Sequence, residues 1–384
     1  MNSMLPTTAT FVPGSKTLPA EVYTSEQVFE KEKKKIFEKY WFCLGHIGRI
    51  PNKGDYFLIE ALGELFIVLR DKNDQIKVFY NVCSHRGTLV CKPNKTSATE
   101  GKFNRKTLQC HYHGWTYGMD GRLLRAPGME GVADFDFATN GLVSPPLYVW
   151  EGFIFVSLVN NPVPFEKLYE PILTRLDDWR IGTLIKGHGE VYSVKANWKL
   201  IFLNFNECLH CGVAHKTLSK FVGDKSAQND LSDGPFLGGL MDILGDAESV
   251  TSTGQFCALP LGGELTNKTR KKGYYYTILG NLLLNIHPDY LMFHCLYPQS
   301  ALETRIESDW LFNPSSEAVL GSNFLKNDAV EVWAKTNAED WELCEMAQVG
   351  IGSRAYRQGN YSNRESLLSA FDRHYLSLMN KTPE

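Results

Sequence analysis

No apolar run in the 384 residues approaches the ~20 that a bilayer span requires, so a membrane protein is not expected. Net charge is scarce as well. Forty Lys and Arg against 43 Asp and Glu leave −3, which gives no electrostatic reason to expect nucleic acid or an anionic membrane as partner. The first residues, MNSMLPTTATFVPGSK, lack a basic start followed by an apolar stretch, so no signal peptide is expected. Nine cysteines, odd in number and loosely spread, make no disulfide scaffold. They point to a reducing compartment, the cytoplasm, in which thiols are free or bind metal. There is no G-x-G-x-x-G or P-loop segment, so the chain is not expected to bind a nucleotide itself. Internal repeats and low-complexity tracts are absent too. What is present is 43% hydrophobic residues in a chain long enough for two domains.

Residues 1–20 show no hydrophobic periodicity and read as a wrapping arm. TSEQVFEKEKKKIFEKYW, from Thr24, reads as a helix that Thr24 or Ser25 can cap, with Val28, Ile36, Phe37 and Tyr40 on its apolar side. From Trp41 to about Val159 the pattern turns to short β-type runs such as GDYFLIEAL, ELFIVLRD, IKVFYNVC and GFIFVSLV. Turn signals at 51–54, 71–74 and 120–121 separate them. Beyond Asn160 helical patterns at 171–179, 198–215, 328–348 and 362–379 surround a strand-rich stretch at 273–312. The expected fold is α+β. An antiparallel β domain, 41–159, is inserted in a larger domain made of 1–40 and 160–384, with an antiparallel sheet surrounded by helices.

Two pairs in the β domain carry chemistry. Cys83-x-His85 and Cys110-x-x-His113 stand at the ends of β-type runs, with 24 residues between them. Two thiolates and two imidazoles suit either a tetrahedral zinc or a mixed-ligand iron–sulfur cluster. Zinc normally prefers two-residue spacing within each pair. In C-x-H, the single intervening residue lets a sulfur reach one iron while the imidazole reaches the other. Cys43, Cys91, Cys257 and Cys295 read as ordinary small hydrophobes.

The run Asn197–Leu218 contains Glu207, His210 and His215. At about 100° per residue Glu207 and His210 share a helix face, whereas His215 lies about 140° from His210. The two histidines can converge on one metal only if the helix loosens or ends between them, and Gly212 is a suitable place. Two histidines with a carboxylate from elsewhere form the facial triad that leaves positions open on a non-haem Fe(II).

NVCSHRGTLVC followed by LQCHYHGWTYGMDGRL resembles the Rieske motif, C-x-H-x-G…C-x-x-H-G-W. Together with E-C-L-H-C-G-V-A-H it resembles the terminal oxygenase (α) subunits of Rieske non-haem iron oxygenases, over about Thr17–Tyr361. The resemblance implies that Cys83 and Cys110 hold one iron of a [2Fe–2S] cluster and that His85 and His113 hold the other. His111 is not at a ligand position. It further implies His210 and His215 as ligands of a mononuclear iron, with Asp340 in NAEDWELCE as the third. Glu339 and Glu342 compete with Asp340 for that role. Glu207 would be an electron bridge from His113 of one subunit to His210 of the next, which requires a homotrimer. The segment 92–106 lengthens the gap between the two halves of the motif and reads as a surface excursion.

A one-electron carrier and an oxygen-activating iron in one chain imply reductive use of O2, with a separate NAD(P)H-dependent flavin and iron–sulfur reductase. KTLPAEVYTSEQVFE, GDYFLIE and YYYTILGNLLLNIHPDYLMFH look most like the glycine betaine monooxygenase branch. The substrate implied is a small quaternary ammonium compound that undergoes N-demethylation. The alternative is an aromatic-ring hydroxylating dioxygenase or O-demethylase. A quaternary cation needs aromatic faces within about 6 Å. Candidates are Phe205, Tyr275, Tyr276, Tyr290, Phe293 and Trp333.

Overall fold

The computed structural model describes residues 5–6, 15–93, 100–103, 106–232, 234–262, 270–320 and 328–380. Most of the N-terminal arm and much of the 92–106 segment therefore lie outside the described residues. Two compact units are present, Leu44–Pro162 and Met1–Cys43 with Val163–Glu384.

The smaller unit is built on three short sheets. One orders Ile76–Tyr80, Glu64–Arg70, Asp55–Ala61 and Glu100–Lys102, all antiparallel neighbours. The last strand belongs to the 92–106 segment. This part is an exposed edge strand, on the surface as expected, with Arg49 Nη2 2.9 Å from Glu100. A second sheet orders Leu147–Trp150, Phe153–Val156 and Phe42–His46, and a third Thr107–Gln109, Thr116–Gly118 and Leu123–Arg125. Leu58, Ile67, Leu69, Phe79, Trp115 and Tyr117 fill the core, and Cys83 and Cys110 are part of it.

The larger unit carries an eight-stranded antiparallel sheet. Its order is Leu5–Pro6, Gln228–Leu231, Phe236–Asp242, Lys272–Ile278, Leu282–Ile286, Tyr290–Ser300, Glu303–Phe312, Ile185–Val194. Leu282–Ile286 is buried at every residue, so both faces of the sheet centre are covered. One register row runs Gly239, Tyr275, Asn285, Met292, Trp310, and its side chains share a face. Helices Trp198–Phe205 and Asp328–Ile351 are in contact with each other. On that face, Trp333 of the long helix meets Tyr275, ring centroids 6.5 Å apart, and Phe205 meets Tyr275 at 6.4 Å.

Helix Trp198–Phe205 is fixed at its N-terminal end. Asn197 Oδ1 accepts from Lys199 N–H at its start, as Asn does at an N-cap. Behind it, Lys199 Nζ lies 2.5 Å from Glu32 Oε1, both side chains fully buried. Glu32 also accepts from Trp198 Nε1 and Tyr375 Oη. One carboxylate thus joins helix Glu26–Glu32, helix Trp198–Phe205 and helix Ser366–Asn380.

Candidate metal and substrate site

Both halves of the first motif are loops of one design. Cys83 N–H donates to the Thr88 carbonyl (2.8 Å), and Gly87 N–H donates to the Cys83 carbonyl (3.0 Å). Cys110 repeats this with the Trp115 carbonyl (2.8 Å) and the Gly114 N–H (3.0 Å). The glycine four residues after each cysteine stands at φ +72° or +74°, a conformation that side chains disfavour. Closing the loops this way buries Cys83 and Cys110, each 2% exposed, and leaves His113 exposed beyond them. The His85 and His113 rings approach to 4.7 Å between centroids. His85 is stacked on Trp115 (4.6 Å, 8°). Tyr117 Oη lies 3.1 Å from Cys83 Sγ. Two sulfurs inside, two imidazoles outside and a hydroxyl on one sulfur make a donor set that fits a mixed-ligand cluster.

The second constellation is brought together by a helix break. Helix Trp198–Phe205 ends before Glu207, and a short helix resumes at Cys211–Ala214. The break therefore falls at 206–210, not at Gly212, which sits inside the short helix. At the break Asn206 Nδ2 donates to the Phe202 carbonyl (2.7 Å) and also lies 3.2 Å from Thr277 Oγ1 on the sheet. Both histidines then face Asp340 of helix Asp328–Ile351. His215 Nε2 is 2.9 Å and His210 Nε2 is 3.3 Å from the same Asp340 Oδ1.

The opposite ring nitrogens also have acidic partners. His215 Nδ1 donates to Glu339 Oε2 at 2.8 Å, and His210 Nδ1 donates to Glu207 Oε1. Glu207 also accepts from Leu209 N–H. An imidazole whose Nδ1–H is held by a carboxylate presents its Nε2 lone pair to a metal, so these three donors fit a mononuclear metal. Without one, burial disfavours charge on the rings. The Asp340 and Glu207 carboxylates outweigh it at His210, which is pushed up to about 10. Burial would raise the Asp340 carboxyl, but its hydrogen bonds from both histidines hold it below the usual range.

Glu339, one of the competitors for the third position, thus lies on the far side of His215. One expectation about cysteine fails here. Cys208 and Cys211 are joined in a disulfide across the turn that holds His210, a pairing visible in hindsight as Cys-x-x-Cys. Cys43, Cys91 and Cys295 are buried, as small hydrophobes are.

A cavity of about 900 Å³, including its mouth, opens beside these residues. Phe205, Tyr275 and Trp333 line it together with His210, His215 and Asp340. The other aromatic candidates do not. Tyr276 Oη is spent on Asp230 (2.7 Å) and Tyr290 Oη on the Val250 carbonyl, while Phe293 projects from the opposite sheet face to Met292. Four contributors were not singled out by sequence reasoning: Glu339 as a partner of His215, Tyr117, Asn206 and the Cys208–Cys211 pair.

A Rieske-type β unit and a helix-on-sheet unit with a two-histidine, one-carboxylate cluster define an iron-dependent oxygenase. Residues 40–136 match the Rieske [2Fe-2S] domain, and residues 181–381 match the ring hydroxylating alpha subunit (catalytic domain). The chain belongs to the ring-hydroxylating α-subunit family of Rieske oxygenases. It is 31% identical to the glycine betaine monooxygenase oxygenase subunit of Pseudomonas aeruginosa over 382 residues, covering 90% of this chain and 85% of that one. It is 33% identical over 219 residues to the carnitine monooxygenase oxygenase subunit of Escherichia coli, 54% of either chain. The solved structure of a quaternary ammonium Rieske monooxygenase, described for carnitine oxidation and inter-subunit electron transfer, matches with TM-score 0.82 at 25% identity. It covers 99% of this chain and 100% of that one. As a family member the chain is an oxidoreductase with a [2Fe–2S] cluster and a non-haem Fe(II), and it depends on a reductase. Among the described residues no helix is long and apolar enough to cross a membrane.

Proposed function

We propose that the chain is the oxygenase component of a monooxygenase that N-demethylates a small betaine-like quaternary ammonium compound. The observation that carries this reading is the convergence of His210, His215 and Asp340 at the wall of a cavity lined by Phe205, Tyr275 and Trp333. A methylated ammonium has no N–H to bond, and aromatic faces attract it by their quadrupole. In this reading Cys83, His85, Cys110 and His113 hold the cluster, and His210, His215 and Asp340 hold the iron. When bound, these groups supply single electrons and the activation of O2.

The chain's own residues orient and exclude. Glu207 and Glu339 keep each histidine in one tautomer, Trp333 is held by its Nε1 donating to Tyr290 Oη (2.7 Å), and the aromatic wall keeps water from the methyl group. Over the whole reaction one oxygen atom enters an N-methyl C–H bond and the other leaves as water, with two electrons from the reductase and two protons from solvent. The hydroxymethyl product then loses formaldehyde.

Glu207 links His210 to His113 of a neighbouring subunit in a homotrimer. Exposed apolar side chains at both places support contact between copies: Val82, Leu89 and Tyr112 around the cluster loops, Leu209 and Val213 around His210. A separate NAD(P)H-dependent flavin and iron–sulfur reductase and a cytoplasmic location complete the proposal. Formaldehyde release and oxygen uptake, with a compatible reductase, test it across glycine betaine, carnitine, stachydrine and benzoate-type aromatics. Turnover confined to the aromatic compounds would refute the substrate reading.

A further inference from the structure

The cavity has one wall whose polar atoms the fold does not use. Asn285 lines it, is 1% exposed, and neither Oδ1 nor Nδ2 of its amide has a hydrogen-bond partner. Directly across the strand pair stands Tyr275, which also lines the cavity and whose buried Oη has no partner either. On Asn285's other side the register partner is Met292, which offers no hydrogen bond. Buried amides and phenols are nearly always satisfied, and leaving one unsatisfied costs on the order of 1–3 kcal/mol. Two such residues at paired positions on the same cavity wall are the kind of local rule-breaking that a fold tolerates for function.

The surroundings limit what can occupy this wall. His287, two residues along the strand, packs on Trp333 (5.3 Å) and Tyr275 (6.0 Å), and burial pushes it down to about 3, so it is neutral. The wall therefore offers neutral donors, two N–H on Asn285 and one O–H on Tyr275, beside the aromatic faces.

We propose that Asn285 and Tyr275 form the polar end of the substrate site and hydrogen-bond an oxygen of the methylammonium substrate, a carboxylate or a hydroxyl, while the aromatic faces take the cation. This assignment rests on the quaternary ammonium reading above. It makes Asn285 a specificity residue that separates oxygen-bearing methylammonium compounds from plain alkyl ones.

The test is Asn285→Leu, close in size and without polar atoms. Binding is measured by calorimetry on anaerobic oxygenase with glycine betaine, choline and propyltrimethylammonium, alongside thermal melting and iron content. In the variant, glycine betaine is expected to bind about 10- to 100-fold more weakly if the carboxylate is the occupant, the range for a hydrogen bond to a charged group. Choline takes the larger loss if the hydroxyl is. Propyltrimethylammonium keeps its affinity, and the melting temperature rises because two unsatisfied groups are gone. A fall in melting temperature with equal loss for all three ligands means a structural role and overturns the assignment, as does unchanged binding of all three. Wild-type protein that binds none of them refutes the substrate reading, and the assignment with it.

Discussion

Glu339 allows a quantitative test of how the iron site is held. Its Oε2 takes the Nδ1–H of His215 at 2.8 Å, and Asp340 Oδ1 stands 2.9 Å from the opposite nitrogen. Removing the carboxylate with Glu339→Ala frees the ring to rotate and to move its proton to the nitrogen that must face the metal. Losses of this kind typically cost 10- to 100-fold in metal affinity, or about 1.4–2.7 kcal/mol. The Glu339 side chain is 28% exposed, so water can replace part of its effect, and the lower end of that range, about tenfold, is expected. Glu339→Gln keeps an acceptor and should lose only about two- to threefold. The assay is anaerobic Fe(II) titration against a competing chelator in protein that keeps its cluster. The visible spectrum of the cluster serves as the control for folding. Equal affinity in wild type and Glu339→Ala would show that His215 is oriented by something else.

Three further expectations follow from the same contacts. Glu207→Gln keeps an acceptor for His210 Nδ1 but removes the charge, so both metal sites should stay filled while turnover falls severely; rapid-mixing spectroscopy with reductase should find fast cluster reduction and slow product, and near-normal turnover would remove Glu207 from the electron route. Lys199→Met leaves the Glu32 carboxylate buried without its cation. The cost is about 3–5 kcal/mol. In a chain of 384 residues that lowers the melting temperature by about 4–6 °C, and the double variant Glu32→Gln/Lys199→Met should recover most of the loss. Burial pushes the Asp372 carboxyl up to about 7 against the bond it accepts from Tyr361 Oη (2.8 Å). The folded state then binds a proton that the unfolded state releases near pH 4, so this group's contribution to stability is present below about pH 4 and lost as pH rises to about 7. Chemical denaturation across that window should show a slope of up to about 1.4 kcal/mol per pH unit that Asp372→Asn removes.

What could be read from the sequence and what could not divide along a physical line. The cluster loops were legible because each packs its whole geometry into six residues. The cysteine, the glycine four positions on and the carbonyl one further close the loop in both halves of the motif. The alternation of the β-type runs was legible for the same reason, since side-chain direction along a strand depends only on the neighbouring residue. At Glu207–His215 local reasoning reached its limit. Periodicity required the helix to loosen or end between His210 and His215, and Gly212, with its weak helix preference, was a suitable place. The break instead spans 206–210 and begins at Asn206, which bonds Thr277, 71 residues away on the sheet.

Glu339 and Asn285 were hidden for a deeper reason. On a long helix Asp340, Glu339 and Glu342 are equivalent carboxylates until the fold decides which side of His215 each one meets. Asn285, in a strand of leucines, reads as a polar interruption of a buried run. Only the register that sets it opposite Tyr275, and the cavity before them both, turn that interruption into a pair of hydrogen-bonding groups waiting on a partner. Local motifs thus identify the groups that do chemistry common to the whole family. The residues that would choose a substrate are set by a hairpin's register and by the helices packed over it, so two chains with the same ligand motifs can differ in what they bind through one strand position.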